Sequence, residues 1–251
     1  MAIQKTQAIV LRRQDVRETS VVLTLFTRDF GKIKGILRGV RGARTEGSGG
    51  AALEILSHDQ IVFYERKKGD ISTVSQCDLL NFFNHIRSSL ERLAYASYIA
   101  ELLDSVTNLY DKNEEVFDLV LNSLMLMSGD SSPKRVARIF EIKLLHLLGI
   151  MPTMEVCAGC GGKTDTDAKF SVRSGGLLCK DCLGDDYQAR SILAGTARFI
   201  EHITKFPFEK LERVKVAEAV GKELESILRE FLDYHIERRL RTLEFIKEIE
   251  K

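Results

Sequence analysis

Four of the chain's five cysteines fall in one short stretch, as the pairs Cys157–Cys160 and Cys179–Cys182 with the spacing C-x2-C-x18-C-x2-C. A C-x-x-C pair puts two sulfurs on one tight turn. Two such turns facing each other complete a tetrahedron of thiolates with metal–sulfur distances of ~2.3 Å, which is what zinc prefers. Gly159, Gly161 and Gly162 supply the backbone freedom of a metal-binding turn. Cys157, Cys160, Cys179 and Cys182 are therefore expected to hold one structural Zn2+ ion. A thioredoxin-type redox centre uses a single C-x-x-C beside a strand–helix–strand pattern, which is absent. Catalytic zinc keeps one position open for water, whereas four equivalent cysteines close the shell, and no His or Glu lies between them as a base. A second role for this segment, direct contact with nucleic acid, rests on Lys163, Lys169, Arg173 and Lys180. The fifth cysteine, Cys77, reads as a buried inert thiol.

The other feature with chemical meaning is a basic stripe. The net charge is only +1, but residues 1–80 hold thirteen Lys/Arg against nine Asp/Glu, and residues 81–251 hold twenty-four against twenty-seven. Within the first part, Arg28 to Arg44 carries six basic residues and one acid. Local positive charge in a near-neutral chain points to an anionic partner. Lys32, Lys34, Arg38, Arg41 and Arg44, with Arg12, Arg13, Lys67 and Lys68 nearby, are expected to form a phosphate track. Phe26, Phe30 and Tyr64 are the aromatic side chains available to stack on bases.

No local catalytic pattern accompanies these features. The sequence has no G-x-x-x-x-G-K-[ST] phosphate loop, so no nucleotide cofactor is expected, and no H-E-x-x-H or G-x-S-x-G. The five histidines are scattered, with His146 expected in the core of an apolar helix, and Asp185-Asp186 falls in a loop beside the cysteines. An enzyme is not expected. No apolar run approaches the ~18 residues of a membrane span, and MAIQKTQAIVLRR does not read as a signal peptide, so the expected location is the cytoplasm.

The elements that must position these residues change character near residue 80. Before it, AIVLRR, VVLTLFT, KIKGILRG, EILSHDQIVFYER and ISTVSQC are β-branched-rich runs separated by polar or glycine-containing breaks. Five short strands in this length suit a small closed barrel of the OB type. In KIKGIL the period of two puts Lys32 and Lys34 on one face and Ile33 on the other. The segment RGVRGARTEGSGGAA, with five glycines, reads as a loop. After residue 80 the period is helical: LERLAYASYIAELLDSV, Glu114 to Met127, and VARIFEIKLLHLLGI after a Ser132-Pro133 start. The last of these is apolar nearly all round and is expected to be a central buried element. A short helix over Ala194–Lys205 and a long one around Glu212–Leu240 follow the cysteines. The expected fold is thus α+β and multidomain: an N-terminal OB-fold barrel over residues 1–79, then an all-α domain over 80–251 with a zinc-ribbon-like insertion at about 153–188.

In order and spacing these segments resemble the RecO family of bacterial recombination mediators. The resemblance covers AIVLRRQDVRETSVVLTLFTRDFGKIKGILRGVRGAR with Glu18-Thr19 and Gly31-Lys32, then YIAELLDSV, RIFEIKLLHLLGIMP, CAGCG, GGLLC-x-x-C and HIERRLRTLEFI. It implies an OB-fold, a helical domain and a zinc module. It also implies binding of single- and double-stranded DNA, annealing of complementary strands without ATP, and, with RecR, help in loading RecA onto strands coated by single-stranded DNA-binding protein. The acidic C-terminal tail of that coat protein docks on the family's helical domain, and Arg135 and Arg138 are the basic residues expected to rim the site. Arg238, Arg239 and Arg241 are expected either to hold a second strand or to close a helix C-terminus. The alternative reading is a zinc-stabilised protein–protein adaptor with incidental DNA binding.

Overall fold

The computed structural model describes every residue except 1, 17–19, 39–52, 66–70, 165–166, 185, 215, 237 and 251. Among the expected site residues, Arg41, Arg44, Lys67 and Lys68 lie outside the described set, as do Glu18, Thr19 and Asp185.

Five strands form the first architecture: β1 (Ile3–Val16), β2 (Ser20–Thr27), β3 (Gly31–Arg38), β4 (His58–Tyr64) and β5 (Ser72–Asn81). They close into a barrel in the order β1-β2-β3-β5-β4, with β4 returning to β1. This is the expected OB-like barrel. Alternation drives it: Ala8, Val10, Val21, Leu23, Leu25, Ile33, Ile61, Phe63 and Val74 point inward and are 0–5% exposed. A bulge between Val10 and Arg12 shifts the register of β1 and turns Arg12 outward opposite Thr24. Closure between β3 and β5 is parallel and brief, Gly35 with Ser72 and Ile36 with Thr73. Gly35 matters there, because a Cβ would lie 2.8 Å from Val74 Cγ2.

The fourth strand corrects the sequence reading. EILSHDQIVFYER looks like one extended run, but β4 begins only at His58. Leu53 and Leu56 take positive φ, 60° and 69°, and fold residues 53–57 into a turn that tucks both side chains into the core at 2% exposure. Asp59 organises it. Its carboxylate is fully buried and accepts from Leu53 N–H (3.2 Å) and Ser57 Oγ–H (2.5 Å). Burial pushes this carboxyl from its ordinary 3.8 up to about 6, against the opposing pull of those hydrogen bonds and of Arg87.

A raised acid favours the fold in its neutral form, so its contribution is fully present below the unfolded value and is lost as pH rises through about 6. Ionisation at neutral pH then costs on the order of 2–3 kcal/mol. Asp59→Asn keeps an acceptor for Leu53 N–H without the charge. It is expected to unfold at higher urea than the unsubstituted chain at pH ~8, by about 1–2 kcal/mol, with the gap closing toward pH ~4. A variant that is less stable by the same amount at both pH values would show that the charge itself carries no cost.

By contacts the described residues divide into two compact units, 1–133 with 240–251, and 134–239. The barrel shares the first with α1 (Asn84–Arg87), α2 (Leu90–Val106), α3 (Glu114–Ser128) and α7 (Thr242–Ile249). Ser89 and Asn113 cap α2 and α3 by accepting from Arg92 N–H and Val116 N–H. The last helix, α7, packs on α2. Its exposed N-terminal amides at Arg241 and Thr242 donate to Glu101, and Tyr95 donates to Glu250 at 2.6 Å.

The second unit holds α4 (Pro133–Leu147), a small sheet of β6 (Lys169–Ser171), β7 (Gly176–Leu178) and β8 (Arg190–Ser191), then α5 (Ala194–Lys205), a 3-10 turn (Phe208–Arg213) and α6 (Glu218–His235). As expected, α4 is buried along its middle, with every residue from Val136 to Ile142 buried. His146 is instead exposed, one turn past that stretch. The long helix expected over Glu212–Leu240 is shorter, because the 3-10 turn precedes it and the chain leaves helical geometry at Ile236. Arg238, Arg239 and Arg241 therefore follow α6, and Arg241 stands at the N-cap of α7, so they do not close a helix C-terminus.

Candidate metal centre and nucleic-acid interface

The sequence pairs do come together. The Sγ atoms of Cys157, Cys160, Cys179 and Cys182 all lie within 4.8 Å of one another, with Cys160 and Cys179 at 3.9 Å. Four sulfurs at ~2.3 Å around one tetrahedral ion stand ~3.8 Å apart, so the cluster is near the size the ion needs. Each pair sits on a tight turn: Gly161 N–H donates to Cys157 O, and Leu183 N–H to Cys179 O. The first turn is pinned to β7 by Ala158 N–H to Leu177 O (2.7 Å), and the second to the first by Cys179 N–H to Cys157 Sγ (3.3 Å). At Gly159 a Cβ would stand 3.0 Å from Cys182 Cβ and 3.2 Å from its Sγ, so a larger residue there must push the second turn back by a few tenths of an ångström.

The electrostatics suit a cation. Backbone N–H groups of Cys179 and then Cys160 hold the Cys157 thiol down at about 6, favouring the thiolate that a metal binds. The Cys182 thiol, crowded by the sulfurs of Cys160, Cys179 and Cys157, is pushed up to about 12. Cys157 is 1% exposed while Cys160 is exposed, so the cluster has one buried wall and one open one. Phe170 on β6 packs on Phe231 of α6 at 6.3 Å, and Arg190 pairs with Glu230 at 3.1 Å, so the cysteine lobe is built onto α6. Cys77, the fifth cysteine, is half-buried on β5, with its thiol raised by burial. Around the lobe, Lys163, Arg173 and Lys180 are exposed and Lys169 is half-buried.

On the barrel, the expected cations separate into two sets. Lys32 is 8% exposed. Its Nζ donates to Asp104 O (2.6 Å) and Oδ1 (3.1 Å), and its carbonyl accepts from Tyr110 N–H. Period two does aim Lys32 outward with Lys34, but α2 and the segment after it cover that spot. Arg12 pairs with the other oxygen of Asp104 at 2.6 Å, Arg13 with Glu54, and Arg28 with Asp118 at 2.9 Å. Lys34 and Arg38 are exposed, and neither has an ion-pair partner among the described residues.

Register shows what surrounds them. Arg12, Thr24 and Lys34 form one cross-strand row on the outside of β1, β2 and β3. Gln14, Val22 and Ile36 form the next, and Val16, Ser20 and Arg38 the third. The face therefore carries two free cations and one half-exposed arginine among small polar and aliphatic side chains. Of the expected aromatic platforms, Phe26 is fully buried against Phe117, and Phe30 is half-buried and packs edge-on against Phe63. Tyr64 is 37% exposed. Nothing in the sequence marked Asp104 as the acid that neutralises Lys32 and Arg12, because it lies in an ordinary helical run, Leu-Leu-Asp-Ser-Val.

Arg135 on α4 is half-buried and donates from Nη1 to Val214 O, and Arg138 is 8% exposed and paired with Glu141 at 2.9 Å.

Comparison with known proteins gives two family matches along the chain. The family model described as recombination protein O, N-terminal, matches residues 1–83, and that described as recombination protein O, C-terminal, matches residues 87–244. Among individual proteins, the chain is 33% identical over 246 residues to a protein of Pelotomaculum thermopropionicum named DNA repair protein RecO, covering 98% of this chain and 94% of that one. Proteins of the same name from Desulforamulus reducens (31% identity, 100% and 96% coverage) and Moorella thermoacetica (32%, 98% and 91%) are similar over their whole length. No helix among the described residues is long and apolar enough to cross a membrane.

Proposed function

The chain belongs to the RecO family of DNA repair proteins, and we propose that it binds single- and double-stranded DNA through the outer face of β1, β2 and β3 and anneals complementary strands without ATP. The observation that carries this reading is the exposed pair Lys34 and Arg38, unpaired among the described residues, on a barrel whose other cations on that side are taken up by acids. Duplex formation supplies the driving force, and the protein lowers the barrier by screening phosphate repulsion between the strands. No covalent chemistry is required, so the protein acts as a binding mediator in the cytoplasm.

With RecR it helps to load RecA onto strands coated by single-stranded DNA-binding protein, whose acidic tail is received by the helical domain. The half-buried Arg135 fits a rim position there better than Arg138, whose guanidinium is buried beside Glu141. The four cysteines hold one Zn2+ ion. A closed four-thiolate shell suits that ion, which supplies cross-linking and no open coordination site.

Fluorescence anisotropy of a labelled single-stranded oligonucleotide across a salt series tests the DNA face. Replacing Lys34 and Arg38 together by Ala is expected to weaken binding about 10-fold or more and to flatten the log–log salt slope by ~1.4, two phosphates at ~0.7 each. Lys32→Ala is expected to lower stability and leave the slope unchanged, because its charge is spent on Asp104. A slope that is insensitive to Lys34 and Arg38 would move the site off this face.

A further inference from the structure

We infer that the barrel has a second nucleic-acid site on the adjoining wall of β1 and β4, a stacking platform of Tyr64 and Ile3 beside Lys5 that takes an unpaired base of a single strand. The inference rests on the DNA-binding reading above and specifies which form of DNA this wall selects. Ile3 on β1 faces Tyr64 on β4, and Lys5 on β1 faces Val62 on β4. Ile3 and Lys5 are two apart on one strand, as are Val62 and Tyr64, so all four share the outer face.

That face is open to solvent. Ile3 is 64% exposed and Tyr64 37%; among the described barrel aromatics Phe26 and Phe63 are buried and Phe30 is half-buried against Phe63, which leaves Tyr64 the most open. An aliphatic side chain left to water beside an open aromatic ring is a surface that gains by being covered.

The occupant follows from the neighbouring charge. Among the described barrel residues, Arg12, Arg13, Arg28 and Lys32 are ion-paired, and Lys5 joins Lys34 and Arg38 as the cations that are exposed and without an ion pair. Of the neighbouring acids, Glu65, just after β4, accepts a hydrogen bond from Gln4 at 3.2 Å, and Asp78 stands one row along and two strands over, on β5 opposite Gln60. An open aromatic ring with an unspent ammonium one row along is what single-strand binding combines: a π-face for any base and a cation for the adjacent phosphate. A duplex offers no unpaired base to such a ring. The wall of Lys34 and Arg38, without an open aromatic, reads the backbone alone.

The test compares a single-stranded oligonucleotide with a duplex of the same length by anisotropy at fixed and varied salt. Tyr64→Ala is expected to weaken single-strand binding about 10-fold, leave duplex binding unchanged and leave the salt slope unchanged, since stacking neutralises no phosphate. Tyr64→Phe is expected to restore binding, and Lys5→Ala to flatten the single-strand slope by ~0.7. Equal losses on both oligonucleotides, no loss on either, or a change of sedimenting mass caused by Tyr64→Ala would overturn the platform, the last by assigning it to contact between copies of the chain. Salt-dependent wild-type binding that is indifferent to Tyr64 sinks this inference alone, whereas a wild-type chain that binds neither oligonucleotide overturns the DNA reading as well.

Discussion

Replacing Gly31 by alanine is expected to lower the stability of the fold by about 4 kcal/mol, read as a fall of roughly 10 °C in Tm. Gly31 opens β3 at a φ of +64°, and a Cβ there would lie 2.0 Å from the carbonyl oxygen of Asp111 and 2.4 Å from its carbon. The left-handed backbone costs any L-residue ~1–2 kcal/mol, and overpacking adds ~1–3. The clash cannot be relieved by rotating a side chain, because both partners are main chain. Residues 109–112 must move away from the barrel, which strains the Tyr110 N–H to Lys32 O hydrogen bond (2.8 Å) and opens the buried pair of Lys32 with Asp104 to water. Gly149 supplies the control. Its φ is +71° but nothing stands within 4 Å of where a Cβ would be, so Gly149→Ala is expected to cost only the conformational part, about 1 kcal/mol. Similar losses for the two variants would mean that the segment after α2 yields freely and does not brace the barrel.

That brace is what the sequence could not show. Alternation in VVLTLFT and KIKGIL was enough to find β2 and β3 and to send Ile33 inward, because a strand's two faces are written in its own residues. The cysteine pairs were legible for the same reason: the spacing carries the whole geometry of the turns. Whether an outward lysine meets solvent or another element depends on residues far along the chain, here Asp104, and no local pattern encodes that. The strained turn over 53–57 was equally hidden, since Leu53 and Leu56 are poor candidates for positive φ and are held there by the buried Asp59. The periodicity of an apolar helix does not say where its burial ends, so it places His146 in the core where the structure exposes it.

One consequence bears on function. The basic stripe that first suggested an anionic partner is partly mortar: Arg12, Arg28 and Lys32 join the barrel to α2 and α3 through Asp104 and Asp118. A count of Lys and Arg in this region therefore overstates the charge available to phosphate, and the salt slope of the described barrel is expected to be set by a few cations.

Stripping the proposed Zn2+ ion is expected to be the other large perturbation, and it separates support from recognition. Zinc in small four-ligand sites contributes on the order of 10 kcal/mol to folding, because the ligand turns are not formed without it. In this chain the first cysteine turn hangs on β7 through Ala158, and β6 delivers Phe170 to Phe231. Loss of the ion is therefore expected to free residues of the lobe and to withdraw Phe170 from α6, lowering the stability of the 134–239 unit by several kcal/mol. The purified chain should carry one zinc per molecule, released by strong chelator and detected with a chromophoric indicator, with protease cleavage appearing first between 153 and 191. Cys157→Ser should reproduce the effect. The barrel's contact with DNA is independent of that lobe in the proposed mechanism, so the zinc-stripped chain should keep the wild-type salt slope on a single-stranded oligonucleotide. If the slope instead falls with the zinc, Lys163, Arg173 and Lys180 around the cysteines belong to the DNA surface, and the lobe reads nucleic acid as well as bracing α6.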